Sequence, residues 1–148
     1  ICRYVGKKGL CHGEMNDVYR GFLAECGVMI PGALEICRKL SETFTLCLVT
    51  NGVSKTQRGR LRGAKLMEYV SGVFISEEIG FHKPQKEQME AKADNALVIG
   101  DSVSSDILGG IRAGIDTCLY DPKKKGYPSD IIPTYSINRL EELLEILY

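Results

Sequence analysis

The sequence has 148 residues, one domain's worth, with 44% apolar and 26% charged residues, proportions that suit a water-soluble globular chain with its own core. Its 19 Lys and Arg balance 19 Asp and Glu, so no global field recruits nucleic acid or an anionic membrane. No apolar run approaches the ~20 residues of a membrane-crossing helix, and the opening ICRYVGKKGL lacks the long apolar centre of a secretory leader.

In chain order, residues 1–22 show no clean period and read as several pieces joined. PGALEICRKL places Ala33, Ile36, Cys37 and Leu40 on one helical stripe, with Pro31 in the first turn. TLCLVTNG predicts a buried strand stopped by Asn-Gly. Residues 54–69 predict a basic, exposed helix with Leu61 and Leu66 turned inward. Strands follow at GVFIS (72–76) and ALVIG (96–100), then a helix at SSDILGGIRAG (104–114) from Ser104 to Gly114. DTCLY (116–120) is a further strand, and DPKKKGYPSD a loop of solvated lysines. PTYSI predicts a short last strand, and NRLEELLEILY a closing helix with Leu140, Leu143, Leu144 and Leu147 inward. Asn138 and Glu141 fit a capping box at its start.

Six cysteines occur without a CxxC, which argues against zinc. Cys37, Cys47 and Cys118 lie in apolar runs and read as small buried hydrophobes, while Cys2, Cys11 and Cys26 complete a set without a disulfide pattern. The usage suits a reducing cytoplasm.

Strands alternating with helices predict a parallel sheet covered on both faces. Ligands of such sheets bind beyond the carboxyl ends of the strands, where Thr50, Asn51, Asp101 and the loop after Ser76 fall. Asp101 ends one strand and Asp106 falls in the first turn of the next helix. Two carboxylates so close repel unless a cation joins them, and Mg²⁺ suits hard oxygen ligands with open positions. A capping Asp106 beside a solvated Asp101 explains the same pair. Thr50 brings a hydroxyl, and Asn51 and Gly52 an amide and backbone N–H groups able to hold phosphate; a plain Asn-Gly turn also explains them. In EEIGFHKPQ, Pro84 holds Lys83 extended. Its ammonium either neutralises phosphate at the rim or is solvated.

Together these pieces resemble the haloacid dehalogenase-like hydrolase superfamily from about Pro31 to the end of the sequence. TNG, SEEIGFHKP and VIGDSVSSDILGGIRAG look like its second, third and fourth motifs. TNGVSKTQRGRLRG, VFISEEIGFHKP and YSINRLEELLEIL look closest to its pyrimidine 5′-nucleotidase-like phosphatases. The resemblance implies a three-layer, Rossmann-like α/β fold, its parallel sheet covered by helices on both faces. It also implies a cytoplasmic, Mg²⁺-dependent phosphomonoester hydrolase working through an aspartyl phosphate. The substrate would be a nucleoside monophosphate or another small phosphometabolite, with no nucleic-acid or membrane partner. Thr50 would hold the transferring phosphoryl group, Asn51 and Gly52 would support that pocket, and Lys83 would neutralise charge and orient the nucleophile. Asp101 would bind Mg²⁺, and Asp106 would support the metal shell or Lys83.

The superfamily's first motif is a strand ending in Asp-x-Asp, whose first carboxylate attacks phosphorus. No Asp-x-Asp occurs in this sequence, and the only aspartate preceding TNG, Asp17, lies in MNDVYRGF, which reads as helix. That strand normally lies between those carrying the second and fourth motifs. Without it the sheet centre would hold unpaired backbone, at about 1–3 kcal/mol per orphan group. The stretch PQKEQMEAKADN is also short for a crossover helix with its loops. The expectation is therefore a molecule with further segments, including the first strand and most of a helical cap. Residues 1–30 would be a remnant of that cap, and residues 31–148 the hydrolase core.

Other classes fit less well. A phosphorelay receiver carries its acid pair first in the chain, whereas here it comes last. GGIRAG does not match a dinucleotide fingerprint, and its glycines better suit close helix packing. A P-loop is absent. A dehalogenase makes little use of the metal-binding acid pair, which suits phosphoryl transfer. The serious rival is a catalytically inactive relative that binds or scaffolds.

Overall fold

The computed structural model describes residues 19, 21–22, 29–85 and 95–148. Most of the expected cap remnant, with Asp17 and Cys2, Cys11 and Cys26, lies outside the described residues, as does the crossover segment 86–94. Helix α1 (Ala33–Ser41) leads to strand β1 (Cys47–Thr50), helix α2 (Ser54–Gly63), a 3₁₀ turn (Leu66–Glu68), strand β2 (Gly72–Ile75) and the short helix α3 (Ser76–Ile79). Strand β3 (Leu97–Gly100) runs through a π-helical turn (Val103–Ile107) into helix α4 (Leu108–Ala113). Strands β4 (Asp116–Tyr120) and β5 (Tyr135–Ile137) and helix α5 (Glu142–Leu147) follow.

Every ladder among the described residues is parallel. β1 pairs with β2 from Cys47 opposite Gly72 to Thr50 opposite Ile75. β3 pairs with β4 from Leu97 opposite Asp116 to Gly100 opposite Leu119, and β4 with β5 from Cys118 opposite Tyr135. Among the described residues the strands form two ladder groups, β1–β2 and β3–β4–β5, and no described strand joins β1 to β3. The break falls between the strands that carry TNG and GDSVSSD, where the resemblance places a further strand.

The core lies where the apolar stripes of α1 and α5 meet β4 and β5. Ile36, Leu40, Cys118, Ile137 and Leu143 are buried there, with Phe44, Leu97 and Leu140 packed against them. Burying each such aliphatic side chain contributes about 1.5–3 kcal/mol. Tyr148 closes the end of α5, its ring 5.7 Å from Phe44 edge-on and its hydroxyl 3.0 Å from Thr43 Oγ1. Gly110 lets α4 lie close on the second sheet, since a Cβ there would stand 2.5 Å from Thr117 Cγ2 and 3.2 Å from Val98.

Several local expectations change, among them the helix over 54–69, which ends at Gly63. Cys47 is exposed, because it opens β1, whereas Cys118 is buried and Cys37 half-buried. Burial and the nearby Glu142 push the Cys118 thiol up to about 11. The glutamate that reaches back at the start of α5 is Glu142, not Glu141: its Oε1 accepts from Arg139 N at 2.8 Å and Asn138 N at 3.3 Å. The Asn138 side chain instead donates to Asp121 O at 2.8 Å. The helical segment before Gly114 begins at Val103, where Ile107 N donates to Ser102 O in a wide turn. Among the described residues no helix is long and apolar enough to cross a membrane.

Candidate active site

Three loops converge at the carboxyl ends of the strands: Thr50–Asn51–Gly52 after β1, the segment through Lys83 after β2 and α3, and Asp101 to Asp106 after β3. β1 ends on Asn-Gly, which stops the ladder and frees the backbone to turn. Asn51 then turns its amide onto the backbone of Lys83. Its Oδ1 accepts from Lys83 N at 2.8 Å and its Nδ2 donates to Lys83 O at 3.2 Å. Gly52 N donates to the buried Ser76 Oγ at 3.0 Å. Thr50 is half-buried beside them, with its hydroxyl 3.4 Å from Asn51 O.

Lys83 reaches from this first cluster to the second sheet. Its Nζ stands 2.5 Å from Asp106 Oδ1, with the two side chains 15% and 9% exposed. Asp106 Oδ2 accepts from Ser102 N at 3.1 Å, so both carboxylate oxygens have partners. The buried carboxylate is thus compensated by a cation and a backbone donor, as a buried charge requires. Gly100 makes the room, since a Cβ there would overlap the Asp106 side chain. Asp101, by contrast, is exposed at the end of β3 and makes no side-chain hydrogen bond or ion pair among the described residues.

The donor set accommodates a hard cation only in part. Asp101 is an open carboxylate at the rim, while Asp106 is engaged with Lys83. No group of three or more His, Cys, Asp or Glu that could hold a metal occurs among the described residues.

A further tie was not anticipated. Ser54 N donates to Glu77 Oε2 at 2.6 Å and Ser54 Oγ to Glu78 Oε1. Arg58 grips Glu78 in a bidentate pair, Nε to Oε1 at 2.8 Å and Nη2 to Oε2 at 2.7 Å. Hydrogen bonds from Arg58 and Ser54 hold the Glu78 carboxyl down at about 2. The signal lay in the chain: an acidic pair opens α3, and α2 carries basic residues with no acid in its first turn. Ser76, Glu77 and Glu78 thus fasten the loop and helix after β1 to the segment that delivers Lys83. The structure therefore joins Thr50, Asn51, Gly52, Lys83 and Asp106 by contact or chain neighbourhood, and places Asp101 at the same strand end.

Residues 5–120 match the haloacid dehalogenase-like hydrolase family. The HAD-hydrolase YfnB of Bacillus subtilis is 44% identical over 141 residues, which cover 90% of this chain and 60% of YfnB. The crystal structure of YfnB bound to magnesium superposes with a TM-score of 0.86, covering 95% of this chain and 65% of that one at 42% identity. The pyrimidine 5′-nucleotidase YjjG of Escherichia coli is 33% identical, covering 91% of this chain and 64% of YjjG. The pyrimidine 5′-nucleotidase PynA of Streptococcus pneumoniae is 35% identical, covering 87% and 58% respectively. This chain spans less than two thirds of the length of each of these relatives.

Proposed function

The chain belongs to the haloacid dehalogenase-like hydrolase family, and on that premise we propose that the whole protein is a Mg²⁺-dependent phosphomonoester hydrolase. The observation that carries the reading is Lys83, whose backbone is fastened to Asn51 and whose ammonium is fastened to Asp106. A cation fixed at a strand rim beside an open carboxylate is an arrangement for neutralising phosphate charge.

In this reading Thr50 donates its hydroxyl to the oxygens of the transferring phosphoryl group, and Lys83 presents positive charge to them. Asn51 and Gly52 shape the pocket through backbone geometry, because their polar groups are engaged with Lys83 and Ser76. Asp106 positions Lys83. Asp101 would hold Mg²⁺, and the bound ion would supply further charge neutralisation at phosphate oxygens. The route is an aspartyl phosphate, and its attacking carboxylate is assigned to no residue here, since no Asp-x-Asp occurs in the sequence. A nucleoside monophosphate is the first substrate class to try, given the kinship to YjjG and PynA.

The test is phosphate release by the purified full-length protein from p-nitrophenyl phosphate and from a panel of nucleoside monophosphates and sugar phosphates. Activity should require Mg²⁺, vanish in EDTA, and be inhibited by beryllium fluoride, which mimics an aspartyl phosphate. A folded full-length protein inert to every ester in Mg²⁺ would overturn the enzyme reading in favour of a binding protein.

A further inference from the structure

We propose that Asn51 is a positioning residue for Lys83, holding the lysine's own backbone so that its side chain can reach only Asp106 and the phosphate position. The inference rests on the reading of Lys83 as the charge-neutralising residue. The Asn51 amide presents one acceptor and one donor from a single planar group. Both are taken by one residue 32 positions away: Oδ1 by Lys83 N at 2.8 Å and Nδ2 by Lys83 O at 3.2 Å. This resembles one rung of a β-ladder, made by a side chain.

A rung is needed at that place. Pro84 follows Lys83 and has no N–H, so the segment cannot continue a ladder of its own. The Lys83 N–H and C=O therefore need outside partners. Of the small polar side chains that suit a strand end, only asparagine supplies both complements at this reach. Aspartate lacks the donor, serine is too short to span both groups, and glutamine adds a methylene that moves the amide off the peptide.

The geometry also explains why the backbone and not the ammonium is held from this side. Lys83 leaves the first sheet's rim and its Nζ ends at Asp106 after β3 in the second sheet, 2.5 Å away. A lysine side chain has four rotatable carbons and would sample a wide cone if its backbone drifted. Fixing the peptide at one end and the ammonium at the other leaves one path across the rim. The tie is thus entropic pre-organisation of a catalytic cation.

The experiment compares wild type, Asn51→Ala and Asn51→Asp in the full-length protein. Three readouts are taken: amide hydrogen exchange at Lys83, acetylation of Lys83 Nζ by a water-soluble acylating reagent followed by mass spectrometry, and steady-state kinetics. Asn51→Ala should speed both exchange and acetylation at Lys83 about tenfold, the loss of two hydrogen bonds. It should lower kcat about 10- to 100-fold with KM changed less than about threefold. Asn51→Asp keeps the acceptor for Lys83 N and should fall between the two. Unchanged exchange and acetylation in a folded Asn51→Ala protein would overturn the inference, whatever the kinetics. A fall in KM affinity alone with kcat intact would also overturn it, by making Asn51 a substrate ligand. If wild type itself hydrolyses no phosphate ester, the phosphatase reading fails, and the two labelling readouts still decide whether Asn51 holds Lys83.

Discussion

Lys83 Nζ lies 2.5 Å from Asp106 Oδ1 although 23 residues separate them in the chain, and the pair bridges the rims of two sheets that share no ladder. The side chains are 15% and 9% exposed, so neither charge has solvent to fall back on. Such a pair is asymmetric. Replacing both partners by apolar groups is often neutral, whereas removing one strands the other. Lys83→Ala should therefore lower stability by about 3 kcal/mol in urea unfolding and cut activity at least about a hundredfold. The double variant Lys83→Met with Asp106→Leu should regain most of the stability and none of the activity. A Lys83→Ala protein as stable as wild type would mean that the buried pair does not form in solution.

Asp101 is the exposed member of the acid pair and has no side-chain partner among the described residues. Asp101→Asn should leave the thermal midpoint within a degree or two of wild type, since surface changes are usually within about 0.5 kcal/mol. Mg²⁺ binding by calorimetry and Mg²⁺-dependent hydrolysis should both be lost. Retention of wild-type Mg²⁺ affinity would remove Asp101 from the metal site.

The tie between α2 and α3 should show in acid. Hydrogen bonds from Arg58 and Ser54 hold the Glu78 carboxyl at about 2, below its ordinary 4.5. A carboxylate depressed in the folded state stabilises above its unfolded value and loses that contribution as pH falls through its folded value. Wild type should thus lose stability relative to Glu78→Gln between about pH 4.5 and 2, the two converging near pH 2. The side chains of this pair are 40% and 31% exposed, so the difference at neutral pH should be modest and should shrink in salt. Parallel melting curves for the two proteins across that window would show that the bidentate pair contributes nothing.

Much of this rim was legible in the chain because its chemistry is local. A lysine before proline, and two acids five positions apart across a strand end, announce themselves within a few positions. The strands at Leu48, Val73 and Val98 were equally legible as short apolar runs. What was not legible depends on distant partners. Asn51–Gly52 reads as a turn, and nothing nearby tells that its amide serves a peptide 32 residues on. Glu78 reads as one more surface acid until Arg58 is brought against it from 20 residues away. Cys47 shares an apolar run with Leu48 and Val49, yet sits exposed at the strand's opening, a matter of position rather than composition. Glu142 replaced Glu141 in the α5 start because one residue of helical phase decides which carboxylate reaches back.

Two glycines separate packing from function. A Cβ on Gly100 would overlap the Asp106 side chain, and a Cβ on Gly110 would press on Thr117 Cγ2 at 2.5 Å and on Val98 at 3.2 Å. Neither position has the left-handed backbone that would add conformational strain. Both alanine variants therefore suffer the same kind of penalty, an over-packed methyl worth about 1–3 kcal/mol. Their effects on catalysis should diverge. Gly110→Ala shifts α4 against the second sheet, away from the rim, and should keep kcat within about threefold of wild type below its melting temperature. Gly100→Ala pushes Asp106 out of the seat from which it holds Lys83, so kcat should drop about a hundredfold while Asp101 still binds Mg²⁺. Urea unfolding, kcat and calorimetric Mg²⁺ affinity measured on both variants give the comparison. Equal losses of kcat in the two would mean that the Gly100 contact matters only for packing, and that Asp106 does not place Lys83 for the reaction.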